Sequence, residues 1–163
     1  MKVAIFGLGY VGTVCGACFA RAGHDILGVD VNPVKVDLVN AGQSPIVEPG
    51  LADLMAEGVR SGRLRATTDT REAVGWADLS LVCVGTPARE NGSLNLDYVY
   101  GVCREIGEAL RDRDGYHVVT IRSTVLPGTL DECRAILEEA SGRKAGEGVG
   151  LACNPEFLRE GSA

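Results

Sequence analysis

Short apolar runs alternate along the chain with longer segments whose apolar residues recur at helical spacing. The runs at 3–6 and 79–84 are almost entirely aliphatic or aromatic, which is typical of strands buried on both faces of a parallel sheet. Six segments of the chain are predicted as strands: 3–6, 26–30, 65–68, 79–84, 118–122 and 149–153.

Helical segments fill the intervals between these strands. The segment that begins at Pro33 has proline in the first helical position, where it is favourable. The alternation of strands with helical segments predicts an α/β domain with a doubly wound, mainly parallel sheet and helices on both faces. The predicted helices are 11–22, 33–42, 51–61, 71–76, 96–110 and 128–140.

A glycine-rich turn joins the first strand to the first helix, with the spacing GxGxxG. Gly7 permits the tight turn, Gly9 lets a pyrophosphate approach the backbone, and Gly12 lets the helix pack closely on its strand. The helix N-terminus offers N–H groups and a partial positive charge to phosphates. The second strand ends in Asp30, 18 residues after Gly12, where a carboxylate accepts from ribose hydroxyls and repels a 2′-phosphate.

These features together predict a Rossmann-type NAD site, with NAD favoured over NADP. The alternative is a structural glycine turn with an ordinary helix-capping Asp. Ligands of such sheets bind beyond the carboxyl ends of the strands, so the residues there are further candidates. Taken singly, each has an ordinary role as loop punctuation, helix cap or solvated carboxylate. The candidates are Lys35, Gly85, Thr86, Pro87, Ser123, Thr124, Glu156 and Glu160.

Charge and composition narrow the function classes. The net charge is −6 and no long basic run exists, which argues against a nucleic-acid surface. No apolar stretch approaches the roughly 20 residues of a membrane span. Because the chain passes directly from Met1 and Lys2 into a strand, we expect no signal peptide and a cytoplasmic location.

Cysteine usage is consistent with that location. In the cytoplasm the six cysteines are expected to be free thiols. Cys15 and Cys18 have the spacing of a redox or metal pair, but no second pair or histidine cluster accompanies them. We therefore expect them to pack against the sheet as small side chains, and we predict no metal site.

Several longer segments of the chain resemble the UDP-glucose/GDP-mannose dehydrogenase family, and the resemblance extends over the whole chain. RSTVLPGT and NPEFLREGSA are specific to this family and are not shared by NAD-binding domains at large. The resembling segments are GLGYVG (7–12), VDVNPVKVDLVNAG (29–42), SPIVEPGL (44–51), CVGTP (83–87), RSTVLPGT (122–129) and NPEFLREGSA (154–163).

The resemblance implies a four-electron oxidation of a sugar C6 alcohol to a carboxylate with two NAD⁺. The alcohol becomes an aldehyde, then a thiohemiacetal and a thioester on a cysteine, which water cleaves. The implied substrate is a nucleotide sugar, GDP-mannose or UDP-glucose. SPIVEPGL, RSTVLPGT and SGRKAG (141–146) favour the members that oxidise GDP-mannose, with UDP-glucose as the alternative.

Cofactor roles follow from the same resemblance. The glycine turn with Tyr10 and Val11 is expected to hold the pyrophosphate. Asp30 and Lys35 are expected to hold the adenosine end. The loop of Gly85, Thr86 and Pro87 and the pair Ser123 and Thr124 are expected to line the cofactor path, with Thr86 and Thr124 toward the nicotinamide.

Catalytic and substrate roles are implied as well. Thr124 with Glu156 is expected to orient and deprotonate the hydrolytic water or the substrate hydroxyl, as a general base does. Glu160 is expected to help hold both substrate and cofactor. The sugar side is expected to be lined by Glu156, Phe157, Leu158, Arg159 and Glu160.

In one respect the chain departs from the family pattern. The family's nucleophilic cysteine, a lysine and an asparagine that stabilise the reacting oxygen, a central helix and the nucleotide-sugar domain all lie downstream of NPEFLREGSA. Cys133 falls inside a predicted helix and Cys153 ends a strand, so neither is expected to be the nucleophile. We therefore expect 1–163 to be an NAD-binding domain that is inactive alone. Self-association through the central helix is expected of the full-length protein, and this part alone is expected to be monomeric.

Two other functions stay open. One is a different NAD-dependent sugar or hydroxy-acid dehydrogenase with the same first domain, against which RSTVLPGT and NPEFLREG count. The other is a non-catalytic NAD-sensing module. A sensor would not need Thr124 and Glu156 at the nicotinamide end of the site.

Overall fold

Six parallel strands form one sheet in residues 1–161, the part of the chain that the computed structural model describes. The strands are β1 Lys2–Phe6, β2 Asp25–Val29, β3 Leu64–Thr67, β4 Leu79–Val82, β5 His117–Ile121 and β6 Val149–Cys153. Their spatial order is β3-β2-β1-β4-β5-β6, and every neighbouring pair is parallel. The predicted doubly wound fold is confirmed, with a wholly parallel sheet in this part. The last two residues of the 154–163 segment lie outside the described residues.

Six helices connect these strands within the same residues, each close to its predicted position. At the start of the second helix, Pro33 occupies the first helical position, as the sequence predicts. The Asn32 side chain also caps this helix by accepting a hydrogen bond from the Val34 N–H. The helices are α1 Tyr10–Arg21, α2 Pro33–Asn40, α3 Leu51–Arg60, α4 Thr70–Trp76, α5 Asp97–Leu110 and α6 Thr129–Ser141.

The helices cover both faces of the sheet. In β1, Val3 and Ile5 pack with α1, α2 and α3, whereas Ala4 and Phe6 pack with α4, α5 and α6. Successive strand side chains point to opposite faces, so a strand covered on both sides is expected to be largely apolar. This explains why β1 and β4 have almost entirely apolar sequences.

The chain reverses its direction of travel across the sheet between β1 and β4. From β1 it winds outward to β2 and β3, then crosses to β4 and winds the other way to β5 and β6. This reversal opens a crevice at the carboxyl ends of β1 and β4, which is where open α/β sheets bind ligands.

The cysteines of the chain are all free thiols, as predicted. Cys15 lies in α1 and is buried against the sheet, and Cys18 is half-buried beside it, which confirms a packing role for the pair. No group of three His, Cys, Asp or Glu side chains in residues 1–161 is placed to hold a metal ion. Nor does any helix in that range have the length and apolar character to cross a bilayer.

A buried histidine stands at the other end of the sheet. His117 begins β5 with its side chain enclosed, and its Nε2 lies 2.8 Å from the Ser80 Oγ. Burial lowers the pKa of His117 to about 4, and the nearby positive charges of Arg113 and Arg143 act in the same direction, while Asp78 opposes them. The imidazole is therefore neutral in the folded chain near neutral pH.

This neutral histidine should make the fold less stable in mild acid. The unfolded chain binds a proton at His117 below about pH 6.5, whereas the folded chain does so only near pH 4. The free energy of unfolding should therefore fall by about 3 kcal/mol from this group as pH drops from about 6.5 to 4. Urea denaturation at several pH values measures how the free energy of unfolding changes with pH. The His117→Gln variant should have a shallower slope, and equal slopes in both chains would contradict the assignment.

Candidate functional site

The turn after β1 contains three glycines, and a different structural reason favours glycine at each position. Gly7 has φ +98°, and a Cβ there would lie 2.9 Å from the Cys83 carbonyl oxygen. A Cβ at Gly12 would lie only 1.9 Å from the Gly7 carbonyl oxygen, so α1 starts directly against the turn. A Cβ at Gly9 would meet no atom within 4 Å. The open space at Gly9 is therefore the place where a phosphate can reach the backbone.

The start of α1 is suited to an anion. Gly9 is its N-cap and has no side chain to accept from the first N–H groups, and the first turn carries no acidic residue. An uncapped helix N-terminus directs N–H donors and a partial positive charge toward a ligand. The geometry of this turn thus fits the pyrophosphate of a dinucleotide.

Asp30 stands at the end of β2 with its carboxylate held in place. One oxygen accepts from the Leu8 N–H at 2.7 Å and lies 3.4 Å from the Lys35 Nζ, and the other accepts from the Asn32 N–H at 3.0 Å. The side chain is 9% exposed. A carboxylate offers about four lone-pair sites, so one remains for a ribose hydroxyl. Lys35 forms an ion pair with Asp30 and also lines the cavity beside it.

A cavity of about 670 Å³ extends from the glycine turn past Asp30 to α5. This volume lies within the range typical of small-ligand sites, about 300–1,000 Å³. Several of its wall residues are not among the predicted site residues. Val31 comes from the loop after β2, and the others come from α4, α5 and the loops before them. These unpredicted wall residues are Val31, Thr68, Thr70, Asp97, Tyr98, Gly101, Val102 and Glu105.

A second cavity of about 240 Å³ continues from the first across Gly9 and Gly85, which line both. Its walls include Thr86, Thr124 and Glu156. The structure thus brings these three predicted residues to one cavity, although they come from the ends of three different strands. Tyr10, Val11, Cys83, Val84, Arg122 and Ser123 complete its walls.

Two of the predicted cofactor residues make hydrogen bonds that stabilise the protein's own loops. The Ser123 hydroxyl lines the second cavity, but it donates to the Val84 carbonyl at 2.7 Å and so fixes the backbone just after β4. Pro87 is exposed and lines neither cavity, and its carbonyl accepts from the Asn95 N–H at 2.8 Å. This hydrogen bond closes the loop from 87 to 95, within which Ala88 and Leu94 form an antiparallel bridge.

Arg122 is a site residue that the sequence analysis does not single out. It follows β5, lines the second cavity and donates to the Asn154 side-chain oxygen. Its Nε is buried without a hydrogen-bond partner. The bond to Asn154 links the end of β5 to the start of the segment that carries Glu156.

The thiols beside this cavity are not activated. Burial raises the pKa of Cys15 and of Cys83, although the Arg122 guanidinium opposes the effect at both. The thiolate is the nucleophilic form of cysteine. Both side chains therefore remain protonated near neutral pH and serve as packing.

The segment after β6 is irregular and is tied to the start of α1. The Tyr10 hydroxyl lies 2.8 Å from a Glu48 carboxylate oxygen and 3.1 Å from the Arg159 carbonyl. The same Glu48 oxygen accepts from the Gly161 N–H at 2.7 Å. We call this cluster of Tyr10, Glu48, Arg159 and Gly161 the Tyr10 clasp. Glu48 is a second residue that local sequence patterns do not reveal.

Within this segment the predicted residues divide into two sets. The half-buried Glu156 faces the second cavity, and its carboxylate accepts from the Leu158 N–H. Leu158 packs on the α1 side of the core. Phe157, 92% exposed, and the exposed Arg159 and Glu160 line neither cavity. Their contacts with sugar or cofactor remain predictions.

The chain is similar to known proteins along its whole length. The family model described as UDP-glucose/GDP-mannose dehydrogenase family, NAD binding domain, matches residues 1–163. A GDP-mannose 6-dehydrogenase of Pseudomonas syringae pv. tomato is 56% identical over 164 residues, covering 100% of this chain and 37% of that protein. A UDP-glucose 6-dehydrogenase of Haloferax volcanii is 44% identical over 164 residues, covering 100% of this chain and 38% of that protein.

A solved structure agrees closely with the fold. The ternary complex of a GDP-mannose dehydrogenase from Pseudomonas aeruginosa matches with a TM-score of 0.97 and 53% identity, over 98% of this chain and 37% of that one. The chain therefore spans little more than a third of the length of the relatives that it matches.

Proposed function

The chain belongs to the UDP-glucose/GDP-mannose dehydrogenase family, and on that premise we propose that it is the NAD-binding part of an enzyme that oxidises the C6 alcohol of GDP-mannose to a carboxylate. The observation that carries the proposal is the pair of joined cavities, with Asp30 in one and Thr124 and Glu156 in the other. The higher identity to a GDP-mannose 6-dehydrogenase than to a UDP-glucose 6-dehydrogenase, 56% against 44%, favours the mannose nucleotide.

The chain's own groups supply binding and proton transfer. NAD⁺, when bound, supplies the hydride acceptor. The glycine turn and the start of α1 donate to the pyrophosphate, and the free lone pair of Asp30 accepts from the ribose. Glu156 faces the cavity beside Thr124, where its carboxylate takes the proton of the substrate hydroxyl or of the hydrolytic water. Thr124 orients that hydroxyl or water by hydrogen bonding.

The thioester step needs a cysteine thiolate. Cys15 and Cys83 beside the cavity are protonated and packed, and Cys153 ends β6 outside both cavity walls. We place the nucleophile and the nucleotide-sugar domain in the remainder of a longer protein, which self-associates and works in the cytoplasm. The six free thiols suit that compartment.

The test uses the longer protein that contains this chain, with NAD⁺ and either GDP-mannose or UDP-glucose. We expect NADH absorbance to rise with GDP-mannose to two NADH per sugar, and hardly at all with NADP⁺. Faster oxidation of UDP-glucose would replace the mannose assignment. NADH binding without oxidation of either sugar would overturn the enzyme proposal in favour of a sensing module. Residues 1–163 alone should bind NADH without turnover.

A further inference from the structure

One face of α5 has a composition that packing does not explain. Its residues Asp97, Tyr98, Gly101, Val102 and Glu105 recur at helical spacing and line the larger cavity. The other face of the helix is buried in the core through residues such as Val99, Cys103, Ile106 and Leu110. On the cavity face, Asp97 pairs with Arg89, and Val102 packs partly against the core. The space at Gly101 is not filled by protein and opens to the cavity.

Gly101 is the least expected residue on this face. Glycine inside a helix is destabilising relative to alanine, so its presence calls for a reason. On the same helix, packing explains the glycine at Gly107, because a Cβ there would lie 2.6 Å from the Ala140 Cβ of α6. A Cβ at Gly101 would meet no protein atom within 4 Å. The space that it leaves open belongs to the cavity, and a flat ring can lie there against the helix backbone.

Glu105 lies one turn further along the same face, with its carboxylate fixed. One oxygen accepts from the Thr70 hydroxyl at 2.9 Å, so α4 holds the group at the cavity wall. A carboxylate only accepts hydrogen bonds. It therefore favours a ligand edge that carries N–H donors and disfavours one that carries a carbonyl oxygen.

The position of the α5 wall relative to Asp30 indicates which part of the cofactor lies against it. NAD is the cofactor of the domain, and the Asp30 carboxylate at the end of β2 fixes its adenosine ribose. The cavity runs from Asp30 and Val31 past Thr68 to Gly101 and Glu105. The group attached to the ribose and pointing away from the pyrophosphate is the adenine base, whose 6-amino group is a donor.

We infer that Gly101 and Glu105 select the base of the cofactor. The adenine ring lies against the α5 backbone at Gly101, and its 6-amino group donates to Glu105. A 6-oxo purine such as hypoxanthine places a carbonyl oxygen against this carboxylate and is rejected. The inference rests on NAD binding and is independent of which sugar is oxidised.

The Gly101→Ala substitution separates binding from stability. We expect it to raise the melting temperature, because alanine favours the helix, and to weaken NADH binding about tenfold or more, because the methyl group takes up ring space. Gly75→Ala is the matched control, since Gly75 is also helical, exposed and without atoms near its Cβ, but lies outside the cavity. It should gain stability and keep NADH affinity. Unchanged NADH affinity in Gly101→Ala would overturn the ring placement.

Base selection is measured with reduced nicotinamide hypoxanthine dinucleotide as the second probe. The unaltered chain should prefer NADH by about tenfold or more, as expected for a hydrogen bond to a charged group. Glu105→Gln should reduce the preference to about threefold or less, because an amide can turn to donate to the 6-oxo group. Glu108→Gln, on the same helix but outside the larger cavity, should retain the full preference.

An undiminished preference in Glu105→Gln would overturn the role of Glu105. Failure of the unaltered chain to bind NADH would overturn the cofactor assignment and this inference together. The two kinds of failure are therefore distinguishable in one titration series, followed by the fluorescence of the reduced nicotinamide.

Discussion

Gly12→Ala is expected to leave the chain unable to form a stable domain. The added Cβ would lie 1.9 Å from the Gly7 carbonyl oxygen and 3.3 Å from the Ile5 side chain. The turn cannot easily move to relieve this clash, because the Gly7 N–H donates to the Val29 carbonyl at 2.8 Å. The start of α1 would have to move away from the sheet, and we expect a loss of about 4 kcal/mol or more. Urea denaturation followed by circular dichroism measures it.

Gly9→Ala is the contrasting variant within the same turn. Gly9 has φ −83°, which any residue adopts, and a Cβ there meets nothing within 4 Å. Its stability should stay within about 0.5 kcal/mol of the unaltered chain, as for exposed sites without special contacts. NADH binding should nevertheless be lost, because the methyl group lies where the pyrophosphate approaches. Tight NADH binding by Gly9→Ala, or normal stability of Gly12→Ala, would show that the roles of the two glycines are wrongly assigned.

Glu156→Gln is expected to reduce kcat of the longer enzyme by about 10²–10⁴, the usual contribution of general acid–base catalysis. The amide oxygen can still accept from the Leu158 N–H, as the carboxylate does, so the loop should keep its shape while the base is lost. NADH affinity should change little, because we propose that Asp30 and the glycine turn provide most of the cofactor contacts.

The matched control is Glu139→Gln, an exposed carboxylate on α6 that lines neither cavity. It should keep both kcat and NADH affinity. A Glu156→Gln enzyme with normal kcat would remove Glu156 from catalysis. A variant that loses NADH binding together with kcat would instead indicate that Glu156 positions the cofactor.

Local pattern was enough to predict the elements and the geometry of the glycine turn. The strands covered on both faces are largely apolar, and the close contacts at Gly7 and Gly12 require glycine at that spacing. Asp30 was predictable for the same reason, because it follows such a strand at a fixed distance from the turn.

Other parts depend on contacts between distant residues. Glu48 meets Tyr10 and Gly161 only after the sheet has formed, and neither neighbour is indicated by the sequence around it. Thr70 and Glu105 lie on different helices. The Ser123 hydroxyl lies at the cavity but donates to the Val84 carbonyl, and the local sequence does not indicate this contact. Gly101 was the one available signal for α5, because a glycine within a helix is unfavourable.

The order of the strands also affects how the chain folds. β1 lies at the centre of the sheet, where its Val3 pairs with Ile26 on one side and with Leu79 on the other. β4, the second partner of β1, is synthesised only when about half of these residues have been made. Until then, one edge of β1 has unpaired backbone N–H and C=O groups. Long-range parallel pairing of this kind slows folding and exposes strand edges to aggregation. High-level expression should therefore benefit from lower temperature or added chaperones, even though the finished sheet is buried on both faces.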